Sequence, residues 1–262
     1  MLRNSVETLR AGELRSKTLA RVGLRELWLM ILLCLMAGGV WTFVGIADEI
    51  SEGELESFDR TILLALRTAD DRQDPLGPVW FEEVMRDVTA LGGNLVVGFV
   101  TLASATYLLL LGKRRVAVFV LSAIGSGVMA SSLLKAGFGR PRPDLVEHAT
   151  AIYTSSFPSG HSMTAGIVYL TLAAVLIRVQ PRWRLKLYLL ALAVLVTLSV
   201  GVSRVYLGVH WPSDVLAGWA AGAAWAIFWW CLALWLMRRG ALEEGWGEAG
   251  RVPPGGDESD AG

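Results

Sequence analysis

Apolar residues gather into six long runs, at roughly 27–47, 94–112, 116–134, 161–179, 186–206 and 214–237, separated by stretches where Arg, Asp and Glu crowd together. Each run comes close to the ~20 residues a helix needs to cross ~30 Å of hydrocarbon. A lipid-facing backbone must satisfy its N–H and C=O groups within the segment, and these runs lack the period-two alternation of barrel strands. The pattern therefore predicts an all-α polytopic bundle of six transmembrane helices. The first run begins after a long basic lead and is too long for the apolar core of a signal peptide, so it is expected to remain as the first span.

Between the first two runs, residues 48–93 are acidic but not featureless. Phe58, Ile62 and Leu66 fall four apart, and Trp80, Phe81, Val84, Met85 and Val88 recur at helical spacing. Two short amphipathic helices are predicted, broken at Asp74-Pro75 and lying at the bilayer surface. They serve either to guide a lipid to a site or simply to cap the bundle. Residues 1–26 form a basic lead and residues 239–262 a Gly-rich, acidic tail expected to be disordered, which leaves 27–238 as the membrane domain.

Composition supports a membrane protein: 53% of the residues are hydrophobic and the mean hydropathy is +0.48, too apolar for an ordinary soluble domain. The zero net charge hides a separation by side. Sixteen of the 24 Lys and Arg fall in residues 1–26, 113–115, 178–186 and 238–262; the other eight belong to the opposite face. By the positive-inside rule both termini are cytoplasmic in a plasma (inner) membrane, and the connections after spans one, three and five face the outside or periplasm. The two cysteines, Cys34 and Cys231, sit inside apolar runs and supply neither a disulfide framework nor a metal cluster. The expected partners are the bilayer and a lipid substrate, with no nucleic acid. Oligomeric state has no signature here.

The second and third outward connections hold the ionisable residues that membrane insertion alone would not place there. Lys135 and Arg142 lie in Lys-Ala-Gly-Phe-Gly-Arg-Pro-Arg-Pro. His161 closes Phe-Pro-Ser-Gly-His, and Ser203, Arg204, His210 and Asp214 lie in Ser-Arg-Val-Tyr-Leu-Gly-Val-His-Trp-Pro-Ser-Asp. Singly each is weak: His148 reads as a solvated loop residue, and Lys135 alone could be snorkelling to the interface. Together they form a three-part pattern in order, on one predicted face.

On these motifs the sequence resembles the type 2 phosphatidic acid phosphatase (PAP2) superfamily, lipid phosphate phosphatases that share a core with vanadium haloperoxidases. The likeness runs from about Asp59 to Trp235 and is strongest from Lys135 to Asp214. It implies a six-helix membrane enzyme that hydrolyses a phosphoric ester or diphosphate without a metal or other cofactor, through a phosphohistidine.

The same residues make chemical sense directly. Lys135, Arg142 and Arg204 offer three cations to a group carrying two or more negative charges. Ser159 and Gly160 stand where the connection turns into the fourth span, within reach of phosphate oxygens at a helix N-terminus. Asp214, four residues after His210, can take one imidazole N–H and leave the other nitrogen to attack phosphorus. His161 is then the general acid for the leaving oxygen and later the base for water, a division of roles that predicts a bell-shaped pH dependence.

Three other readings share much of this pattern. A transporter or scramblase would want midplane charges and internal repeats, which are not visible. Vanadate-dependent haloperoxidation belongs to soluble relatives. A lipid phosphotransferase of the same fold differs only in its acceptor. Undecaprenyl diphosphate, phosphatidylglycerol phosphate and phosphatidic acid all suit an outward site, with the first preferred because recycling that carrier needs an outer-face enzyme.

Overall fold

The computed structural model describes the backbone at residues 2–144 and 155–242, with side chains from Glu26 onward. Regular structure there is entirely helical: α1 (Leu2–Glu52), α2 (Glu56–Ala65), α3 (Val79–Ala90), α4 (Asn94–Leu110), α5 (Arg114–Gly137), α6 (Gly160–Val179), α7 (Trp183–Tyr206) and α8 (Pro212–Arg238). His148 and the expected disordered tail from 243 onward lie outside the described residues. The basic lead is not set off by a break, because α1 continues through residues 26 and 27 without interruption.

Among the described residues, five segments are long and apolar enough to cross a membrane: Glu26–Glu52 of α1, and α5, α6, α7 and α8. The 94–112 run differs from expectation. α4 has 17 residues, about 26 Å of helix at ~1.5 Å per residue, short of a full crossing. It completes a sixth span only with α3, from which it bends by 47°. The bend falls at Leu91-Gly92-Gly93, where Tyr169 Oη donates to the Leu91 carbonyl at 2.8 Å. A Cβ on Gly92 would stand 2.6 Å from Val200 Cγ1 and 2.9 Å from the His161 carbonyl oxygen, so only glycine lets the bend press against α6 and α7 there. The protein is thus a multi-pass membrane protein in which the bent pair α3–α4 is long and apolar enough for one further crossing.

Exposed Trp41, Leu95, Phe99 and Leu110 make the outer surface apolar, as lipid contact requires. The interior is built differently. Val116, Val120, Ile124, Met163, Ile167 and Val168 pack between α5 and α6, and α6 lies on α8 through small residues. Gly166 and Gly222 meet backbone to backbone, and a Cβ on Gly222 would stand 2.6 Å from the Met163 carbonyl oxygen. Such close approach maximises van der Waals contact where lipid removes any hydrophobic drive between helices. Gly222→Ala is therefore expected to destabilise the bundle by about 1–3 kcal/mol through overpacking, read as a lower Tm in detergent. An unchanged Tm would show that the α6–α8 contact gives way at little cost.

The two short helices expected in 48–93 are α2 and α3, and the turn between them contains Asp74-Pro75. The face that α2 buries is shifted from the expected one: Phe58 is exposed, whereas Leu63 and Asp59, one turn apart, are fully buried. Leu63 packs with Val205 and Val215 beneath Ile62 and Leu66. The turn itself is pinned to the end of α7, because Arg67 Nη2 donates to the Tyr206 carbonyl at 2.9 Å and Tyr206 Oη donates to that of Leu76 at 2.9 Å. This polar locking shows that residues 53–78 are docked onto the helix ends.

Candidate active site

Lys135 ends α5, His161 begins α6, Arg204 ends α7 and Asp214 begins α8, so antiparallel connectivity brings all three motifs to one end of the bundle. Hydrogen bonds then tie the connecting segments to one another. Ser156 donates through its N–H to the Arg140 carbonyl at 2.9 Å and through Oγ to that of Pro141 at 3.0 Å. Ser159 N–H reaches the Asp214 carbonyl at 3.0 Å, and Trp211 Nε1 donates to Pro141 at 3.0 Å. Loop residues far apart in the chain are therefore held by backbone geometry rather than by side-chain packing alone.

Lys135, Arg142, Gly160, His161, Arg204 and His210 line one cavity of about 340 Å³, with Asn94, Ser131 and Thr164 on its walls. The lysine passes close beside Gly160: a Cβ there would lie at ordinary contact distance, 3.4 Å from Lys135 Cε and 3.6 Å from Nζ. Arg204 is steered by a 3.2 Å bond from Nη1 to Thr89 Oγ1 of α3, while its Nε is buried with no hydrogen-bond partner among the described residues. Ser159 is placed apart. Its hydroxyl is fully buried and accepts from Ser162 Oγ at 2.9 Å, outside the cavity lining, so the α6 N-terminus presents Gly160 and His161 to the cavity instead. Ser203 likewise turns inward and donates to the Val200 carbonyl at 2.7 Å.

His210 is 1% exposed and sits between two partners of opposite kind. Its Nδ1 lies 3.3 Å from Asp214 Oδ2, and its Nε2 lies 3.3 Å from Arg142 Nη1. An ionised carboxylate only accepts and a guanidinium only donates, so the neutral ring carries its proton on Nδ1 and a lone pair on Nε2. Burial, reinforced by Arg204, Arg142 and Lys135, pushes the His210 pKa well below its ordinary 6.5 and keeps that lone pair available. Arg142 also binds the Val209 carbonyl at 3.0 Å, which holds the guanidinium against the imidazole.

The first turn of α8 sets Asp214. Pro212 occupies the first helical position, and the carboxylate reaches back to the Trp211 N–H at 3.0 Å, the arrangement of a capped helix start. Its other oxygen accepts from Arg140 Nη1 at 2.6 Å. Arg140 in turn donates through Nη2 to Asp59 Oδ2 at 2.6 Å. Asp59 Oδ1 accepts from the Ser213 N–H at 2.8 Å. Neither Arg140 nor Asp59 stood out in the sequence, although two signals were there: Arg140 lies inside the first motif, and Asp59 lies one turn before Leu63 on an otherwise apolar helix face.

A sequence model of the PAP2 superfamily matches residues 116–238. Phosphatidylglycerophosphatase B of Bacillus subtilis is 34% identical over 148 residues, spanning 55% of this chain and 70% of that protein. The chain belongs to the PAP2 superfamily. It is a membrane phosphatase of that family, a phosphoric-ester hydrolase. The crystal structure of the transmembrane PAP2-type phosphatidylglycerolphosphate phosphatase from Bacillus subtilis superposes with a TM-score of 0.67 at 28% identity, covering 74% of this chain and 93% of that one. Shorter matches include a lipid A 1-phosphatase of Rhizobium johnstonii, 37% identical over 37% of this chain and 39% of that protein. An undecaprenyl-diphosphatase of Sulfolobus acidocaldarius is 40% identical over 26% of this chain and 29% of that protein. The match to the superfamily begins after α4, so α2, with Asp59, falls outside it.

Proposed function

We propose that this PAP2 phosphatase hydrolyses the phosphomonoester or diphosphate of a membrane lipid through a phosphohistidine formed on His210. The observation that carries the reading is the imidazole held between Asp214 and Arg142 in a cavity shared with Lys135, Arg204 and His161. Lys135, Arg142 and Arg204 take the phosphate oxygens and offset the charge that moves onto them in the transition state. Arg142 then exchanges its contact with Nε2 for one with the anion, and the freed lone pair attacks phosphorus. The bond to the leaving oxygen breaks as His161 delivers a proton to it. Water next attacks the phosphohistidine, His161 takes its proton, and the P–N bond breaks to release inorganic phosphate.

Asp214 holds the ring and balances its positive charge while phosphorus is attached. Gly160 and the N–H groups of the first α6 turn face the bound anion. In this scheme no metal is required, since three side-chain cations supply the positive charge. Both termini are cytoplasmic and the site faces outward, an orientation that rests on the distribution of Lys and Arg.

Phosphatidylglycerol phosphate heads the substrate candidates, supported by a relative of that name matched over 70% of its length. Undecaprenyl diphosphate and phosphatidic acid follow. Phosphate release by the purified full-length protein from these three lipids, with and without chelator and with His210→Ala as blank, tests the reading. Release above that blank, indifferent to chelator, is expected. The same product from the blank, or transfer of phosphate to a second lipid in place of release to water, would refute hydrolysis at this site.

The depressed His210 pKa also sets a pH dependence. Because the folded state holds this imidazole neutral, the unfolded chain binds the extra proton first, and stability falls as pH drops below about 6.5. The nucleophile stays unprotonated over the same range, so the bell-shaped profile of kcat/KM has its acid limb below pH 6.5. Rates measured from pH 4 to 9 check this, and an acid limb at or above 6.5 contradicts a buried neutral His210.

A further inference from the structure

Asp59 and Asp214 come from α2 and α8, 155 positions apart in the chain, yet both are fully buried and share a single guanidinium. Each takes a different nitrogen of Arg140 at 2.6 Å, and Arg140 is itself only 14% exposed. Ser213 stitches the cluster together: its N–H donates to Asp59 Oδ1, its Oγ donates to Asp59 Oδ2, and Arg140 Nη1 donates to that Oγ. A buried arginine serving Asp214 alone would cancel much of the negative charge that the imidazole needs. Here it is divided between two carboxylates.

We propose that Asp59 and Arg140 are positioning residues for the phosphoryl-transfer step, forming a charge-balanced clamp that orients Asp214 and preserves its negative charge for the His210 imidazole. The inference rests on the phosphohistidine reading above. With the histidine neutral, Asp59, Arg140 and Asp214 sum to one negative charge. When Nε2 bonds to phosphorus the ring becomes an imidazolium, and the buried group of four becomes neutral apart from the phosphoryl group itself. Neutrality at that moment is favoured where solvent cannot screen. The same clamp ties α2 to the first turn of α8, so the outward connection contributes to the reaction through Asp214 without touching substrate.

Three full-length variants test this. Asp59→Asn keeps an oxygen for the Ser213 N–H but removes one negative charge, leaving Arg140 to Asp214 alone. A fall in kcat of about 10–100-fold with KM unchanged is expected, the size typical of losing an outer partner that tunes a reacting group. Arg140→Lys keeps the charge but cannot bridge both carboxylates as a planar fork; the same split between kcat and KM is expected. The double variant Asp59→Asn/Arg140→Gln returns the cluster to one negative charge with paired amides, and its kcat should recover to within about tenfold of the parent.

A merely structural role predicts something else: folded fraction, Tm and activity would fall together, and the double variant would be no better than the worse single one. Either result overturns the proposal, as would a kcat within twofold of the parent for Asp59→Asn or Arg140→Lys. Failure of all three to fold overturns it as well, by making the cluster a folding element. Should the parent release no phosphate, or His210→Ala match it, the reading of the site fails instead. The two failures are therefore distinguishable.

Discussion

His210→Ala is expected to remove turnover, lowering kcat on the order of 10⁴-fold or more, the scale seen when a covalent nucleophile is deleted. The protein should remain folded. His210 stands in the short connection before α8, and its contacts with Asp214 and Arg142 are to groups that keep other partners: Arg140 and the Trp211 N–H for the carboxylate, the Val209 carbonyl for the guanidinium. The measurement that decides is not rate alone. Rapidly quenched parent protein, incubated with substrate labelled in phosphorus, should carry acid-labile label on His210, and the variant should carry none. Label retained elsewhere in the chain would move the nucleophile.

Asp214→Asn has the second-largest expected effect, a fall in kcat of about 10²–10⁴-fold with a smaller change in KM. Removing a carboxylate of this kind from another histidine-based site costs ~10⁴ by presenting the wrong tautomer. The physical chain here is similar. An amide at 214 can turn an N–H toward Nδ1, which transfers the ring proton to Nε2 and points a donor at phosphorus where a lone pair is required. It also leaves Arg140 facing one carboxylate instead of two. A folded variant with rates within tenfold of the parent would show that Asp214 merely caps α8.

Part of this site is legible in the chain's own spacing and hydropathy. The interval of four between His210 and Asp214 permits contact at a helix start, and the two are 3.3 Å apart. The placement of Lys135, His161 and Arg204 at the ends of apolar runs follows from the cost of charge in hydrocarbon, which drives such residues to the mouths of spans. Antiparallel connectivity does the rest, because successive spans alternate direction and every second connection lies on the same face.

Other features are not legible there, for identifiable reasons. Ser159 reads as a phosphate contact in its motif; the fold buries its hydroxyl, which accepts from Ser162 Oγ one helical turn on, outside the cavity lining. The bend between α3 and α4 depends on how closely Gly92 meets Val200 and His161, a distance that no local pattern encodes. Asp59 looks like an ordinary acid on a short surface helix. Only its docking against Arg140 and Ser213 sets it apart.

Hydropathy and charge along the chain determined a helical membrane protein, and three ordered motifs determined which end of it gathers the ionisable side chains, because both follow from local costs of burying backbone and charge in lipid. The tertiary fold decided how the ionised groups pair. Pairing depends on distances of a few ångströms between residues separated by tens to more than a hundred positions, and in a buried, weakly screened site those distances set whether an imidazole is neutral, which nitrogen bears its proton, and how much of a carboxylate's charge it feels.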